Sequence, residues 1–237
     1  MKRVRAWSCG LILIAMACVT SPGVSPAEVL VVNHVSLARY EIALVEVERT
    51  AQAASEYGTP SISEVFEDGQ KRYVFEDALF RATWYAAPKD FSFLLANKSD
   101  HSIRVIWDRG VFVDDSGASH RMMHSGVRYL QRDSPQPPSV IVRDGLLNDG
   151  VLPTDCVFWK PGHYGGWEQK EIFGPTRTET PSSHLEFVEV FEADARANIG
   201  RRYKVLLPIE DGGSTHEYVF VFEVKGVEFQ HSPPLPE

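Results

Sequence analysis

The sequence predicts a mainly β protein, an antiparallel β-sandwich with one short helix and long loops. Three stretches carry that expectation. In Phe91–Gly126, FSFLLANKSDHSIRVIWDRGVFVDDSGASHRMMHSG, the residues Phe91, Phe93 and Leu95 alternate with Ser92, Leu94 and Ala96. Ile103, Val105 and Trp107 alternate in the same way with Arg104 and Ile106, and Ser119–His124 reads as a return strand. Turns at Asn97–Asp100 and Asp114–Gly117 separate the runs. Near the C-terminus, Tyr203–Ile209 and His216–Phe229 are β-rich and are joined by the Gly-rich loop Glu210–Ser214, a hairpin pattern. Period-two alternation puts one set of side chains on one face of a sheet, and that face needs a second layer to cover it. The third stretch is the helix, Leu185–Ala197: Phe187, Val190 and Phe191 fall on one helical face. Ser183-His184-Leu185-Glu186 has the spacing of a capping box, and Asn198-Ile199-Gly200 closes the helix.

The remaining elements follow in order. Val29–Val32 reads as an edge strand or as part of an N-terminal tether. Tyr40, Ile42 and Leu44 alternate with Glu41, Ala43 and Val45, so this run is read as a strand ahead of a short amphipathic helix. Ala51–Gln70 is rich in Gly, Ser, Pro and acids and reads as a loop carrying one short element. Tyr73–Phe75 and Ala78–Tyr85 are strands, with Phe80, Ala82 and Trp84 on one face and Leu79, Arg81 and Thr83 on the other. The turn Ala86–Asp90 makes Ala78–Tyr85 and Phe91–Ala96 a hairpin, because Pro88 fixes its own backbone and supplies no donor. Val127–Leu130 reads as a short strand, Gln131–Ser139 as a proline-rich surface loop, Val140–Val142 as a strand fragment, and Asp144-Gly145 and Asn148–Gly150 as turns. Pro153–Pro181 reads as a long irregular connection, a kind that is often functional. Tyr218, Phe220, Phe222 and Val224 share one face of the last strand, Val219, Val221 and Glu223 the other, so this strand is central. The tail His231–Glu237, with its prolines, is a frayed end.

Lys2, Arg3 and Arg5 precede the apolar run Leu11–Ala17, which is a secretory signal too short for a permanent span of roughly 20 residues. Cys18 follows at once after Ala17. This resembles the lipobox of bacterial lipoproteins, in which the cysteine is lipidated and becomes the new N-terminus. Residues 1–17 are then the signal peptide, 18–27 (with Pro22 and Pro26) an extended tether, and 28–237 a single domain. The alternative is cleavage after Ser25-Pro26-Ala27, giving a soluble periplasmic or secreted protein. Val19 is not the aspartate of an inner-membrane retention signal, which favours the outer membrane. The net charge is −8; without the signal's three basic residues it is −11, 21 basic against 32 acidic. That balance argues against nucleic acid and anionic membrane surfaces as direct ligands. Cys156 stands alone in the folded region, so no disulfide is expected there.

Three places merit weighing for chemistry. In a strand, His120, Met122 and His124 point the same way, and two imidazoles and a thioether suit copper or zinc; the alternative is polar strand side chains facing solvent or hydrogen-bonding a loop. Trp159, Tyr164 and Trp167, set among glycines, suit stacking on a sugar ring or a peptide; the alternative is that they cap one end of the sheet layers. Cys156 reads as a small buried thiol rather than a nucleophile, since no histidine is placed to activate it. Asp114-Asp115 lacks the ligand spacing of an EF-hand and reads as a β-turn, and Asn97-Lys98-Ser99, formally a glycosylation sequon, reads as a turn. The sequence contains no GxSxG, HExxH, P-loop or dinucleotide fingerprint, so no catalytic residue and no cofactor is expected.

Phe91-x-Phe93-x-Leu95-x-Asn97-Lys98-Ser99, Ile103-x-Val105-x-Trp107-Asp108 and His124-Ser125-Gly126 are together similar to a loose group of uncharacterised exported bacterial lipoproteins with immunoglobulin-like β-sandwiches. Val205–Pro208 and Tyr218–Phe222 look like that group's final hairpin. The resemblance implies fold and export, with no catalytic motif to carry over. The expectation is therefore a membrane-anchored envelope lipoprotein, a non-enzymatic binding or structural module whose partner is an envelope protein or glycan. The alternatives are a glycan- or peptide-binding protein using Trp159–Trp167, or a copper- or zinc-binding protein using His120 and His124.

Overall fold

The computed structural model describes residues 33–67, 69–181 and 184–232. The expected signal peptide, Cys18, the tether, Val29–Val32, Ser183 of the capping box and the tail beyond Ser232 lie outside the described residues.

Within them the protein is mainly β. The elements are β1 (Asn33–Arg49), α1 (Ala51–Glu56), β2 (Ser61–Glu67), β3 (Gln70–Glu76), β4 (Phe80–Ala86), β5 (Phe91–Asn97), β6 (Ile103–Val105), β7 (Val111–Val113) and β8 (Ser119–His124). They continue as β9 (Ser139–Ile141), β10 (Leu146–Pro153), β11 (Val157–Lys160), β12 (Gly166–Gln169), β13 (Arg177–Pro181), α2 (Glu186–Arg196), β14 (Arg202–Asp211) and β15 (Ser214–Ser232). One large antiparallel sheet runs β13-β1-β15-β14-β7-β8-β10-β5-β4-β3-β2, with β6 on β14 and β9 on β6. β11 and β12 make a separate hairpin.

The alternating runs of the sequence become the core. Phe91, Phe93 and Leu95 of β5 are buried, as are Phe80, Ala82 and Trp84 of β4, and the β4–β5 register sets Trp84 opposite Phe93. Tyr218, Phe220, Phe222 and Val224 of β15 are fully enclosed. Their rings meet those of the other half of the sheet: Trp84 lies 4.8 Å from Phe220, Phe91 4.8 Å from Phe222 and Phe75 5.6 Å from Phe220, centroid to centroid. Each such ring contributes on the order of 1.5–3 kcal/mol by leaving water. The β14–β15 hairpin closes tightly. Asp211 pairs with Ser214, and Gly212 and Gly213 take positive φ of 54° and 85°, the backbone a two-residue turn requires.

β1 and β15 outrun that core. Register shifts at Glu41/Ile42 and Leu44/Glu46 turn the pair as it passes. On one side of the first shift, Ile42, Ala43 and Leu44 belong to the main core. On the other, Ala38 and Phe229 pack under α2 with Phe191 and Ala195. The helix spans nearly the predicted range but buries a different stripe, Val188, Phe191 and Ala195; Phe187 and Val190 remain outside. The reason is the narrow surface beneath it, which a single i, i+3, i+7 row fills.

Several readings are corrected. Asn148–Gly150 is not a turn but lies inside β10, paired with Leu94–Ser92. The polar residues are used locally: Asp149 accepts from Ser125 N–H at 2.9 Å, and a Cβ on Gly150 would stand 3.0 Å from Ser125 Oγ. Val127–Leu130 is not a strand, since Val127 N–H returns to His124 in a turn and Tyr129 opens a 3-10 turn. Pro153–Pro181 is not irregular; it holds β11, β12 and β13. Ala51–Gln70 contains both α1 and β2, and β2 has no buried side chain to betray it. Trp107 is buried as expected, but β6 ends at Val105 and Trp107 begins a 3-10 turn, its indole N–H donating to Ser139 Oγ at 2.9 Å.

Candidate functional site

The β11–β12 hairpin and its tip carry the sequence's three loop aromatics, bringing Trp159 onto Trp167 while Tyr164 stands at the tip against His163. Its register pairs Val157 with Gln169, Phe158 with Glu168, Trp159 with Trp167 and Lys160 with Gly166. The two indoles meet edge to face at 5.8 Å and 73°. Trp167 is the inner member. It packs on the small core of Met123, Leu152 and Val157, with the Arg132 guanidinium 4.8 Å above its ring. Trp159 is 57% exposed, and Tyr164, at the tip, is 94% exposed. The tip needs glycine: a Cβ on Gly165 would stand 2.3 Å from the Lys160 carbonyl. The root is tied down. Tyr129 donates to Gln169 Oε1 at 3.0 Å, Gln169 donates to the Lys89 carbonyl, and Ile172 N–H donates to the Pro88 carbonyl at 2.7 Å. Lys160 and Glu168 pair at 3.1 Å on the opposite face of the hairpin from Trp159 and Trp167. A fixed root thus carries two solvent-exposed aromatic side chains, Trp159 and Tyr164. Exposed aromatic rings of this kind suit stacking contacts.

β8 carries His120 and His124, but each ring has its own local partner. His120 Nε2 lies 2.9 Å from Asp114 and Nδ1 lies 3.0 Å from Asp155, so carboxylates occupy both ring nitrogens. The hydrogen bond with Asp114, reinforced by the Asp155 charge, holds His120 protonated above its ordinary range. Ser116 and His120 in turn hold the Asp114 carboxyl far below the usual carboxylate range. Asp114 Oδ1 also accepts the N–H groups of Ser116 and Ala118 at 2.9 Å, and its carbonyl accepts Gly117 N–H at 3.0 Å, the bond of the β-turn read from the sequence. His124 is buried, stacked on Trp107 at 4.4 Å, and bonded through Nδ1 to Asp149 at 2.8 Å. Met122 is buried. Among the described residues, no group of three or more His, Cys, Asp or Glu is placed to hold a metal ion.

Other polar groups resolve as fastenings. Asn97 donates its amide nitrogen to the carbonyls of His101, Ile141 and Val142, so the sequon's acceptor nitrogen is spent inside the fold. Cys156 is free and buried, and burial pushes its thiol up to about 11. Ser36 Oγ, His231 and Glu192 form a line at 2.8 and 3.1 Å with the partner order of a hydrolase triad. Ser36 is fully buried in a strand bonded on both sides, so the line ties β1, β15 and α2 together.

Sequence reasoning missed two features. One is a buried network in which Asp77 takes Arg49 and the Tyr218 hydroxyl, each at 3.1 Å. Nearby, Tyr57 donates to Asp211 at 2.6 Å and meets His216 at 3.1 Å, and Asp211 also holds His101. Its members come from parts of the chain far apart in sequence, β1, the end of α1, the β3–β4 turn, β14 and β15 among them, and no spacing links them. The other is an open groove of about 900 Å³ between β1–β15 and β2–β4, lined by Tyr40, Phe66, Tyr73 and Tyr85. Lys71 crosses it to Glu41 at 2.6 Å. No family model, curated protein or solved structure matches this chain.

Proposed function

We propose that the chain is an exported, membrane-anchored binding module, lipidated at Cys18 in the outer membrane, that presents the β11–β12 hairpin to an envelope glycan. The observation that carries this reading is the exposure of Trp159 and Tyr164 on a hairpin whose root is bonded to the body. Large aromatic rings normally bury, and rings held in water on a rigid support are suited to stacking on the C–H face of a sugar. In this reading the sheet is an immunoglobulin-like sandwich folded at β7–β8, supported by the ring contacts between β3–β5 and β15. The module acts by binding, without a catalytic centre.

Titration of tryptophan fluorescence with soluble cell-wall glycan fragments, and in parallel with wall-derived peptides, tests the ligand. Trp159→Ala and Tyr164→Ala each weaken glycan binding about tenfold, the value of one aromatic contact near 1–1.5 kcal/mol, with the fold intact. Unchanged affinity in both variants overturns the reading, and binding of the peptides alone replaces the glycan with a peptide. Palmitate incorporation that Cys18→Ser abolishes supports the anchor; a Cys18→Ser protein that still partitions to membranes overturns it.

A further inference from the structure

β13 is an edge strand, paired with β1 and with no other strand among the described residues. The direction of its backbone groups follows from one hydrogen bond, Ala38 N–H to the Thr176 carbonyl at 2.9 Å. In an antiparallel ladder these groups alternate inward and outward. Thr176, Thr178 and Thr180 therefore turn theirs to β1, and Arg177 and Glu179 turn theirs to the open edge. Such an edge is a template for another strand.

If that strand is the same strand from a second copy, related by a two-fold axis, outward groups must face outward groups. The registers that satisfy this set Arg177 against Arg177, Glu179 against Glu179, or Arg177 against Glu179. The first two place like charges opposite each other and waste a rung, because they bring Pro175 or Pro181, which have no N–H, against Glu179 or Arg177. The third forms complementary charge pairs on both sides of the axis and sets Pro175 against Pro181 just outside the ladder. In the single copy Arg177 and Glu179 pair loosely at 3.7 Å, Glu179 Oε1 accepts from Asn33 Nδ2 at 3.0 Å while its Oε2 faces Arg177, and both the Arg177 and Glu179 side chains are more than half exposed. On the other face of the sheet, α2 holds Phe187 and Val190, 55% and 56% exposed, over a groove of about 360 Å³ beside the same edge. A two-fold at Thr178 brings the second α2 over that groove. The opposite end of the main strand path, β2, carries Glu64 and Glu67 and no basic residue, so self-pairing there meets like charge.

We propose that a second copy of this chain docks edge to edge on β13, with Arg177 opposite Glu179 of the other copy and with Phe187 and Val190 of both copies packed beside Thr178. The contact is isologous and closes at two chains. Sedimentation equilibrium of the full-length exported protein, in detergent where it carries lipid, tests this directly. The wild type dimerises. Arg177→Glu and Glu179→Arg each weaken the dimer at least tenfold, and the double exchange R177E/E179R restores it, while circular dichroism melts confirm that all are folded. In this register Thr178 meets itself as a non-hydrogen-bonded pair, with Cα atoms about 4.5 Å apart, so T178C cross-links to a dimer on mild oxidation. A wild type that stays monomeric to about 100 μM, or a double exchange no better than the single ones, or T178C that fails to cross-link, overturns the proposal. None of these outcomes bears on glycan binding by the hairpin, so the two readings fail separately.

Discussion

Asp77→Asn separates charge from shape in the buried network beneath the β3–β4 turn. The Asp77 side chain is fully enclosed, and it accepts Arg49 Nη1 at 3.1 Å, the Tyr218 hydroxyl at 3.1 Å, and the N–H groups of Leu79 and Phe80 at 2.9 and 3.2 Å. Asparagine keeps the size and one acceptor oxygen, so the turn keeps its bonds. The Arg49 guanidinium, whose side chain is 6% exposed, loses its counter-charge. Neutralising one partner of a buried pair costs about 3–5 kcal/mol. For a domain near 200 residues, each kcal/mol moves Tm by about 2–4 °C, so the variant melts about 6–20 °C lower. Tyr218→Phe removes a single bond to the same carboxylate and costs about 1.5–3 kcal/mol. Differential scanning calorimetry at neutral pH reads both, and Arg49→Met completes a double-mutant cycle. The double variant is less destabilised than the sum of the single ones by about 1–3 kcal/mol, because a guanidinium that is already absent needs no partner. An Asp77→Asn protein within about 1 kcal/mol of wild type, or a strictly additive cycle, refutes the reasoning.

Two further outcomes follow from the titrating groups. His120 is raised above its ordinary value of 6.5 on folding, so its contribution to stability is fully present below that value and is lost as pH rises through the folded one. Proton NMR titration shows the raised midpoint, Asp114→Asn returns it toward the ordinary value, and an unshifted wild-type midpoint counts against the Asp114 and Asp155 contacts. Cys156, buried with its thiol near 11, reacts slowly with a disulfide reagent at neutral pH and quickly in denaturant. Fast reaction of the native protein contradicts the packing around it.

The parts of the fold legible in the sequence are those whose burial repeats along the chain. Phe91, Phe93 and Leu95, and Tyr218 through Val224, alternate because one face meets the other half of the sheet. β2 left no trace, since an edge strand wet on both faces has no apolar period. β10 was hidden because Asn148, Asp149 and Gly150 look like a turn locally and act as a strand only through partners around Ser92 and Ser125. Of the candidate site, the sequence showed that Trp159, Tyr164 and Trp167 belong together, by their density among glycines. The contacts that cover Trp167 more than its cross-strand partner Trp159 come from residues outside the hairpin, among them Arg132 over its ring, with Tyr129 fastening the neighbouring Gln169. For α2 the period was visible and the buried stripe was not, because the choice belongs to Ala38 and Phe229 rather than to the helix.

The length of the β1–β15 ladder sets how this protein answers mechanical force. Under the proposed anchorage, tension from the membrane arrives at Asn33 and runs along β1, which there lies between β13 and β15. Pull along a strand loads its cross-strand bonds in shear, so many must yield together. The ladder with β15 runs from Val35 to Arg49. The β11–β12 hairpin is held to itself by four residue pairs. Under the proposed glycan binding, drag on the ligand peels the hairpin first. The anchoring end stays folded, and the hairpin can re-form once the load is released.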